Sequence, residues 1–461
     1  MPSSPSAVSD SDRPVSPSLW RDRDFRRLWL GQTASQLGEH TSLVVLPLFA
    51  VLTLNAGAGQ LGVLRAVGQV PILLLSLFVG AWVDRWRTRT VMVLTDAGRA
   101  LALGAAAVAG LLGVLGLPAL LVVAFVIGAL SVFFDVAYQA SLVRLVKRDQ
   151  LLRGNSALEG SRSAAQIGGP ALGGALVSAL SAPVAAAAGA VLFALSFLSI
   201  GRMGHRDPLR EHRKHWKHRG YQDRRDRRDR RDRRHRQEHR ERSPRVWRQI
   251  HEGLRFVADD TSLRTVCLAS AAFQFFFAAV MTVYLLFLPR DLDLSGTAVG
   301  LALAATGPGA LLGSLLAARL PNRFGHGVVL VLAAALGDGV FLFVPALHGS
   351  PSLTVGALLA INFVFGTFSQ LVNVTVMAIR QTVTPDGMQG RAAATITFVG
   401  MGLTPLGSLL GGFLAETWGT RTSLLATAAG MLLSPALMAL SPLTRLGRTL
   451  PTPPETQVPS A

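Results

Sequence analysis

Three acidic residues stand inside long apolar stretches: Glu39, Asp135 and Asp338. An ionisable group at mid-membrane costs about 2.5 to 3.5 kcal/mol by insertion scales, so each needs a physical reason to be there. A carboxyl group in low-dielectric surroundings can exchange a proton near neutral pH, which makes all three candidates for proton coupling. The alternative for each is a structural ion pair or a hydrogen-bonded neutral acid.

Glu39 belongs to a polar stripe. Gln36 and Gln32 precede it by three and seven residues, so the three side chains share one helical face. This pattern predicts that Gln32 and Gln36 line a cavity together with Glu39. Asp96 and Arg99, three residues apart, are expected either to satisfy each other or to reach Asp135.

The apolar stretches themselves determine the fold class. Half of the 461 residues are hydrophobic and only 16% are charged, whereas soluble chains carry about a quarter. A helix needs about 20 apolar residues to cross a bilayer, and the chain offers twelve such stretches in two groups of six. We therefore expect an all-α membrane protein with two six-helix halves, 28–203 and 263–443. Tails at 1–27 and 444–461 and a linker at 204–262 complete this division.

Basic residues alternate between the connections. The even-numbered connections and both tails carry arginines, whereas the odd-numbered ones hold only Arg290 and Arg421. The positive-inside rule then places both termini and the linker in the cytoplasm. Heavy use of Ala, Gly and Arg over Lys indicates a GC-rich bacterial genome, and therefore a bacterial plasma membrane.

The two halves are related in sequence. A shift of 238 residues superimposes Arg153 on Arg391 and brings glycines of the fifth and eleventh stretches together: Gly169 on Gly407, Gly173 on Gly411 and Gly174 on Gly412. Glycines four apart let another helix approach closely. Parallel six-span repeats are a transporter architecture.

Two motifs carry a family resemblance. After the second stretch the chain has Gly80, Asp84, Arg85, Arg87 and Arg89, which resembles the cytoplasmic loop motif of the major facilitator superfamily. Thr88 departs from it, since a basic residue is usual there. The fifth stretch reads Gly169-Pro170-Ala-Leu-Gly173-Gly174, which is similar to the motif of the drug/proton antiporters in that superfamily. Ser156 and Ala165 replace glycines that the longer antiporter motif has.

The resemblance extends over nearly the whole chain outside the tails and linker, and is to the twelve-span efflux branch that includes macrolide and siderophore exporters. It implies a proton-coupled exporter of a hydrophobic or amphipathic small molecule, working by alternating access. It also implies that Asp84 latches the cytoplasmic side. An importer of the same fold, or a membrane scaffold or sensor that uses the linker, are the alternatives.

The linker is strongly basic, with 21 Lys or Arg against 9 Asp or Glu between Arg202 and Arg255. Such a segment is expected to remain unpacked and to bind anionic lipid headgroups, at about 1 kcal/mol per basic residue near the surface. We expect small-molecule substrate, protons and lipids as partners, no nucleic acid, a monomer, and neither cofactor nor metal. The chain has no nucleotide-binding motif of the Gly-x-x-x-x-Gly-Lys type and no catalytic constellation, so an enzyme is not expected.

Overall fold

A computed structural model describes residues 19–83, 86–146, 150–204, 254–348, 350–384 and 388–447. Twelve long helical stretches, named α1 to α12, account for most of these residues, which contain no strand. Their bounds are α1 (Arg23–Leu48), α2 (Ala58–Val83), α3 (Thr88–Leu111), α4 (Leu117–Leu145), α5 (Leu151–Ala179), α6 (Ala182–Gly201), α7 (Thr261–Arg290), α8 (Gly296–Ala304 and Thr306–Ala317), α9 (His326–Gly339), α10 (Pro351–Val383), α11 (Gln389–Gly402 and Thr404–Trp418) and α12 (Thr420–Met431 and Leu433–Ala439).

Short helical segments extend or join these helices. The π-helix Phe49–Thr53 continues α1, the 3-10 helix Val340–Ala346 continues α9, and Leu320–Phe324 lies between α8 and α9. Pro308 and Pro405 stand just after the breaks in α8 and α11, where a residue without an N–H group interrupts the helical hydrogen bonds.

Local side chains fix where the helices begin. Asp22 Oδ1 accepts a hydrogen bond from the backbone N–H of Asp24 at 2.8 Å, which caps α1. Asp260 Oδ1 accepts from the N–H of Leu263 at 2.8 Å, which caps α7. Such caps satisfy N–H groups that have no partner inside the helix.

Eleven helices of the described residues are long and apolar enough to cross a membrane. The remaining one of the twelve, α5, has 29 residues but is more polar, since its first half carries Arg153, Glu159 and Arg162. It nevertheless packs along α1 and α8 inside the bundle. The predicted all-α membrane fold of twelve helices is confirmed.

The helices run alternately up and down, so the bundle has two ends. We name the end where α1 begins and α12 ends the terminal face, and the other end the opposite face. Helices α1–α6 form the N-terminal half and α7–α12 the C-terminal half. Helix α5 packs against α1 of its own half and α8 of the other, and α11 packs in the same way against α7 and α2. Most of the predicted tails and linker lies outside the described residues, namely 1–18 and 448–461 of the tails and 205–253 of the linker.

Candidate functional site

The interior of the N-terminal half is organised around Arg99 of α3, which is fully buried. Its Nη2 donates to Ser35 Oγ of α1 at 2.8 Å and to Asp96 Oδ1, one turn earlier on α3. Its Nη1 donates to Ser131 Oγ of α4 at 3.1 Å. The guanidinium therefore ties three helices together.

The pair of Asp96 and Arg99 is closely surrounded. Ser196 of α6 donates its hydroxyl to Asp96 Oδ2. The rings of Phe134 and Phe193 lie 4.5 and 4.6 Å from the Arg99 guanidinium carbon. The two residues satisfy each other, as one of the two expectations stated, and Arg99 also acts electrostatically on Asp135. Asp96 has its counter-charge and hydrogen bonds in place and serves the packing of the half.

Glu39 shares the same cation from the other side. Its Oε2 lies 3.4 Å from Arg99 Nη1, and its side chain is 23% exposed, whereas those of Asp96 and Arg99 are completely buried. Glu39 thus contacts a buried cation and also reaches open space.

Asp135 of α4 lies close to this group. Gln36 donates its Nε2 to Asp135 Oδ1 at 3.4 Å, and Asp135 is half-buried. Gln32 is fully buried, and its Oε1 accepts from Ser161 Oγ of α5 at 3.0 Å. The two glutamines therefore bind neighbouring helices α4 and α5, and a role in lining the cavity stays a prediction.

Arg162 of α5 adds a second cation, which interacts electrostatically with Glu39 and Asp135. The group then contains three carboxyl groups, counting Asp96, and two guanidinium groups, counting Arg99. If every one is ionised, the group carries one excess negative charge. One bound proton would make the group neutral. The neutral state is favoured because an uncompensated charge is costly in a low dielectric. The further titratable residues around it are His40, Tyr138 and Glu159.

The loop motif is only partly visible. Asp84 and Arg85 lie outside the described residues, so the predicted latch stays a prediction. Gly80 lies in the last turn of α2. Arg89 Nε donates to the carbonyl of Ile200 at 3.2 Å, and its Nη2 donates to the carbonyl of Gly201. Arg89 therefore caps the C-terminus of α6, which sequence reasoning did not anticipate.

The glycine motif of α5 lies at two helix crossings. A Cβ added at Gly173 would lie 3.0 Å from the carbonyl oxygen of Thr41 in α1, and one at Gly169 would meet the backbone of the same turn. On the other side, a Cβ at Gly174 would lie 2.8 Å from Cα of Gly300 in α8. Pro170 stands inside α5 between these contacts. Only glycine permits such approach of two backbones.

The second half repeats this crossing in the same register. A Cβ at Gly412 of α11 would lie 2.9 Å from Cα of Gly62 in α2, and Gly300 is 238 residues after Gly62. Ser178 Oγ accepts from the N–H of Thr297 at 2.6 Å. The positions 238 residues away from these two, Glu416 and Gly59, also contact each other. All of these contacts join the halves near the opposite face.

A cavity of about 400 Å³ lies within the C-terminal half, between α7, α9, α10, α11 and α12. Asp338 lines it and is only 4% exposed. Its Oδ2 has no hydrogen-bond partner among the described residues. The three candidate carboxyl groups are therefore not one site, since Glu39 and Asp135 lie together and Asp338 lies in the other half.

A model described as "Major Facilitator Superfamily" matches residues 28–288, which is more than half of the chain. The chain belongs to the major facilitator superfamily. A second model, "Transmembrane secretion effector", matches residues 229–455. The chain is accordingly a multi-pass membrane transporter and not an enzyme, and the predicted family is confirmed.

Two relatives of this chain carry the name of a multidrug efflux pump. The "Multidrug efflux pump Tap" of Mycobacterium tuberculosis (strain ATCC 25618 / H37Rv) is 27% identical over 420 residues, which cover 85% of this chain and 87% of the relative. The protein of the same name from Mycolicibacterium fortuitum is 26% identical over 408 residues, 86% of this chain and 90% of the relative.

Solved structures support the fold. The nucleoside transporter NupG superimposes with a TM-score of 0.66 at 14% identity, covering 90% of this chain and 98% of NupG. A bacterial homologue of the human lysosomal transporter Spinster, in an inward-facing and unoccupied conformation, gives 0.65 at 13% identity, covering 93% and 98%.

Sequence reasoning missed one member of the charged group, Arg162, and one contact of Arg99. Arg162 interacts with Glu39 and Asp135, and Arg99 contacts Glu39, although neither contact was predicted. A signal was present, because Arg162 is an arginine in the middle of a membrane-embedded helix. Such residues face a protein interior or a cavity.

Proposed function

We propose that this transporter exports a hydrophobic or amphipathic small molecule in exchange for protons. It would act as a monomer in a bacterial plasma membrane, with both termini in the cytoplasm. Export, rather than import, is supported by the relatives whose names describe multidrug efflux pumps.

The observation that carries proton coupling is the charge balance around Arg99. Three carboxyl groups face two guanidinium groups, and the partly exposed Glu39 and Asp135 are the members that reach open space. Asp96 already has its ion pair and two hydroxyl donors. A proton that makes the group neutral would therefore reside on Glu39 or Asp135. Arrival of substrate or a change of conformation would then release it.

The contacts between the halves support alternating access. The α5–α8 and α2–α11 crossings hold the halves together near the opposite face, while the cavity beside Asp338 extends to Arg380 near the terminal end of α10. With cytoplasmic termini, this arrangement is an inward-facing state. Rocking of the halves would separate both crossings and expose the substrate to the exterior.

Efflux of fluorescent lipophilic dyes from energised bacterial cells tests the proposal. Cells expressing the chain should export at least one dye faster than vector controls, and a protonophore should abolish the difference. In everted vesicles with an acidic lumen, addition of substrate should alkalinise the lumen, because substrate carried in is exchanged for protons carried out. Increased dye accumulation would indicate an importer, and export that survives the protonophore would overturn proton coupling.

A further inference from the structure

The cavity of the C-terminal half contains a carboxyl group that forms no ion pair with any of the described residues. Asp338 of α9 lines this cavity, is 96% buried and has one oxygen that lacks any hydrogen-bond partner among the described residues. In contrast, Asp96 and Glu39 both contact Arg99. Ionisation of a buried carboxyl group without a partner is costly, so Asp338 is suited to carry its charge when a positive charge arrives from outside the protein.

The cation on the same cavity wall is too far away to neutralise Asp338. A Cβ at Gly337, the neighbour of Asp338, would lie 3.1 Å from Cβ of Phe368 in α10. Asp338 is therefore level with Phe368 and Ser369, whereas Arg380 comes eleven residues after Ser369. At 1.5 Å per residue this places Arg380 about 16 Å further along α10, towards the terminal face. Arg380 marks the mouth of the cavity and Asp338 its interior.

The walls between these points suit an amphipathic molecule. Phe273 of α7, Met401 of α11 and Met438 of α12 supply apolar surface. Phe273 is stacked on Phe277 at 5.3 Å and on Phe365 at 6.5 Å, so its ring is held in place. An aromatic wall next to a carboxylate attracts a cation both by charge and through the ring.

Polar groups complete the lining. Gln274 of α7, Ser369 and Asn373 of α10, and Ser434 of α12 face the same space. They offer hydrogen bonds to donors and acceptors on a ligand without adding charge. The cavity thus has one internal carboxyl group, one aromatic wall and several neutral polar groups.

We propose that this cavity is a substrate subsite for organic cations, in which Asp338 is the counter-ion of a protonated amine or a permanently charged onium group. The inference rests on the proposed transport function and names its substrate class. It also assigns different roles to the carboxyl groups. Glu39 and Asp135 exchange protons in the N-terminal half, and Asp338 binds the charge of the substrate in the C-terminal half.

Equilibrium binding of radiolabelled tetraphenylphosphonium to the purified full chain tests this subsite. Asp338→Asn should weaken its binding by about tenfold or more, because the neutral amide lacks the charge that attracts the cation in a low-dielectric cavity. Asp338→Glu should retain most of the affinity. Triphenylphosphine oxide has a similar shape but no charge. Used as a competitor, it should inhibit phosphonium binding with the same potency in Asp338→Asn and in the parent.

A further variant makes the result specific. Asp259→Asn removes a carboxylate that is 72% exposed and paired with Arg255, and it should leave phosphonium binding unchanged. A parent chain that does not bind the cation, or Asp338→Asn binding it as tightly as the parent, would overturn the subsite. Because binding is measured without a gradient, a failure of proton-coupled efflux would show separately as binding without transport.

Discussion

Gly174 of α5 and Gly300 of α8 lie so close together that a Cβ on Gly174 would be 2.8 Å from Cα of Gly300. Gly412 of α11 and Gly62 of α2 are the positions related to these two by the repeat. A Cβ on Gly412 would be 2.9 Å from Cα of Gly62. The two crossings join the halves at the opposite face, and each requires glycine on both sides. The closed state of this face therefore depends on the absence of four side chains.

Substitution of Gly174 by valine should destabilise the closed state of the opposite face. The added side chain cannot fit at the crossing, and overpacking costs about 1 to 3 kcal/mol, which corresponds to a shift of about 5- to 150-fold away from the closed state. Dye efflux per molecule of membrane protein should fall at least about fivefold. Gly412→Val should have the same effect, because the second crossing closes the same face.

Gly160→Val is the matched control on the same helix, since a Cβ at Gly160 would meet nothing within 4 Å. Its efflux and its amount in the membrane should equal those of the parent. Equal loss of efflux in Gly160→Val and Gly174→Val would show that valine harms α5 itself, and that the crossing is not the cause.

Much of this crossing was predictable. The 238-residue shift aligned Gly174 with Gly412 because helix packing restricts both positions to the same small residue. Such a restriction can be recognised in the sequence as a repeated glycine. Their partners Gly300 and Gly62 are also related by the 238-residue shift. A single glycine in an apolar stretch, however, does not indicate which helix it contacts. Only the folded chain shows which helix approaches each glycine.

The charged group was less predictable for a similar reason. The depth of Glu39 and the i,i+3 spacing of Asp96 and Arg99 follow from one helix at a time. The contact of Arg99 with Glu39 depends on how α1 and α3 are rotated about their axes, and no local pattern specifies that rotation. Asp338, in turn, was grouped with Glu39 by depth, although it lies in the other half.

Removal of the Arg99 guanidinium should destabilise the N-terminal half. Arg99→Gln leaves Asp96 buried without its counter-ion, and breaking one side of a buried pair costs about 3 to 5 kcal/mol. Thermal unfolding of the purified protein should show a clearly lower midpoint than the parent. The double variant Asp96→Asn/Arg99→Gln should recover part of this loss, and no recovery would contradict the assignment of Asp96 as the partner.

Neutralising Glu39 should separate substrate movement from proton movement. In Glu39→Gln the charged group carries no excess negative charge, so it has no need to bind a proton. Proteoliposomes should still exchange labelled for unlabelled substrate, but a pH gradient should no longer drive accumulation. Asp135→Asn is expected to behave in the same way, and gradient-driven transport at the parent rate in both variants would rule out the group as the coupling site.

Arg89 should stabilise the end of α6. Its guanidinium donates to the carbonyls of Ile200 and Gly201, and a cation at a helix C-terminus contributes about 0.3 to 1 kcal/mol in addition to its hydrogen bonds. Arg89→Gln should lower the unfolding midpoint measurably. Arg26→Gln, at an exposed position of α1, is the control and should leave it unchanged. Equal midpoints for the two variants would contradict the capping role.

Disulfides placed across either crossing should stop transport reversibly. The hydroxyl of Ser178 lies 2.6 Å from the backbone nitrogen of Thr297, and Gly59 contacts Glu416 at the position related by the repeat. Cysteine pairs at 178/297 and at 59/416, in a chain whose single Cys267 is replaced by alanine, should therefore form disulfides on oxidation. Because rocking of rigid halves must separate both crossings, either disulfide alone should abolish dye efflux. Reduction should restore it, and the four single-cysteine variants should respond to neither treatment. Full efflux from a chain shown to be cross-linked at one crossing would mean that the halves do not move as rigid bodies.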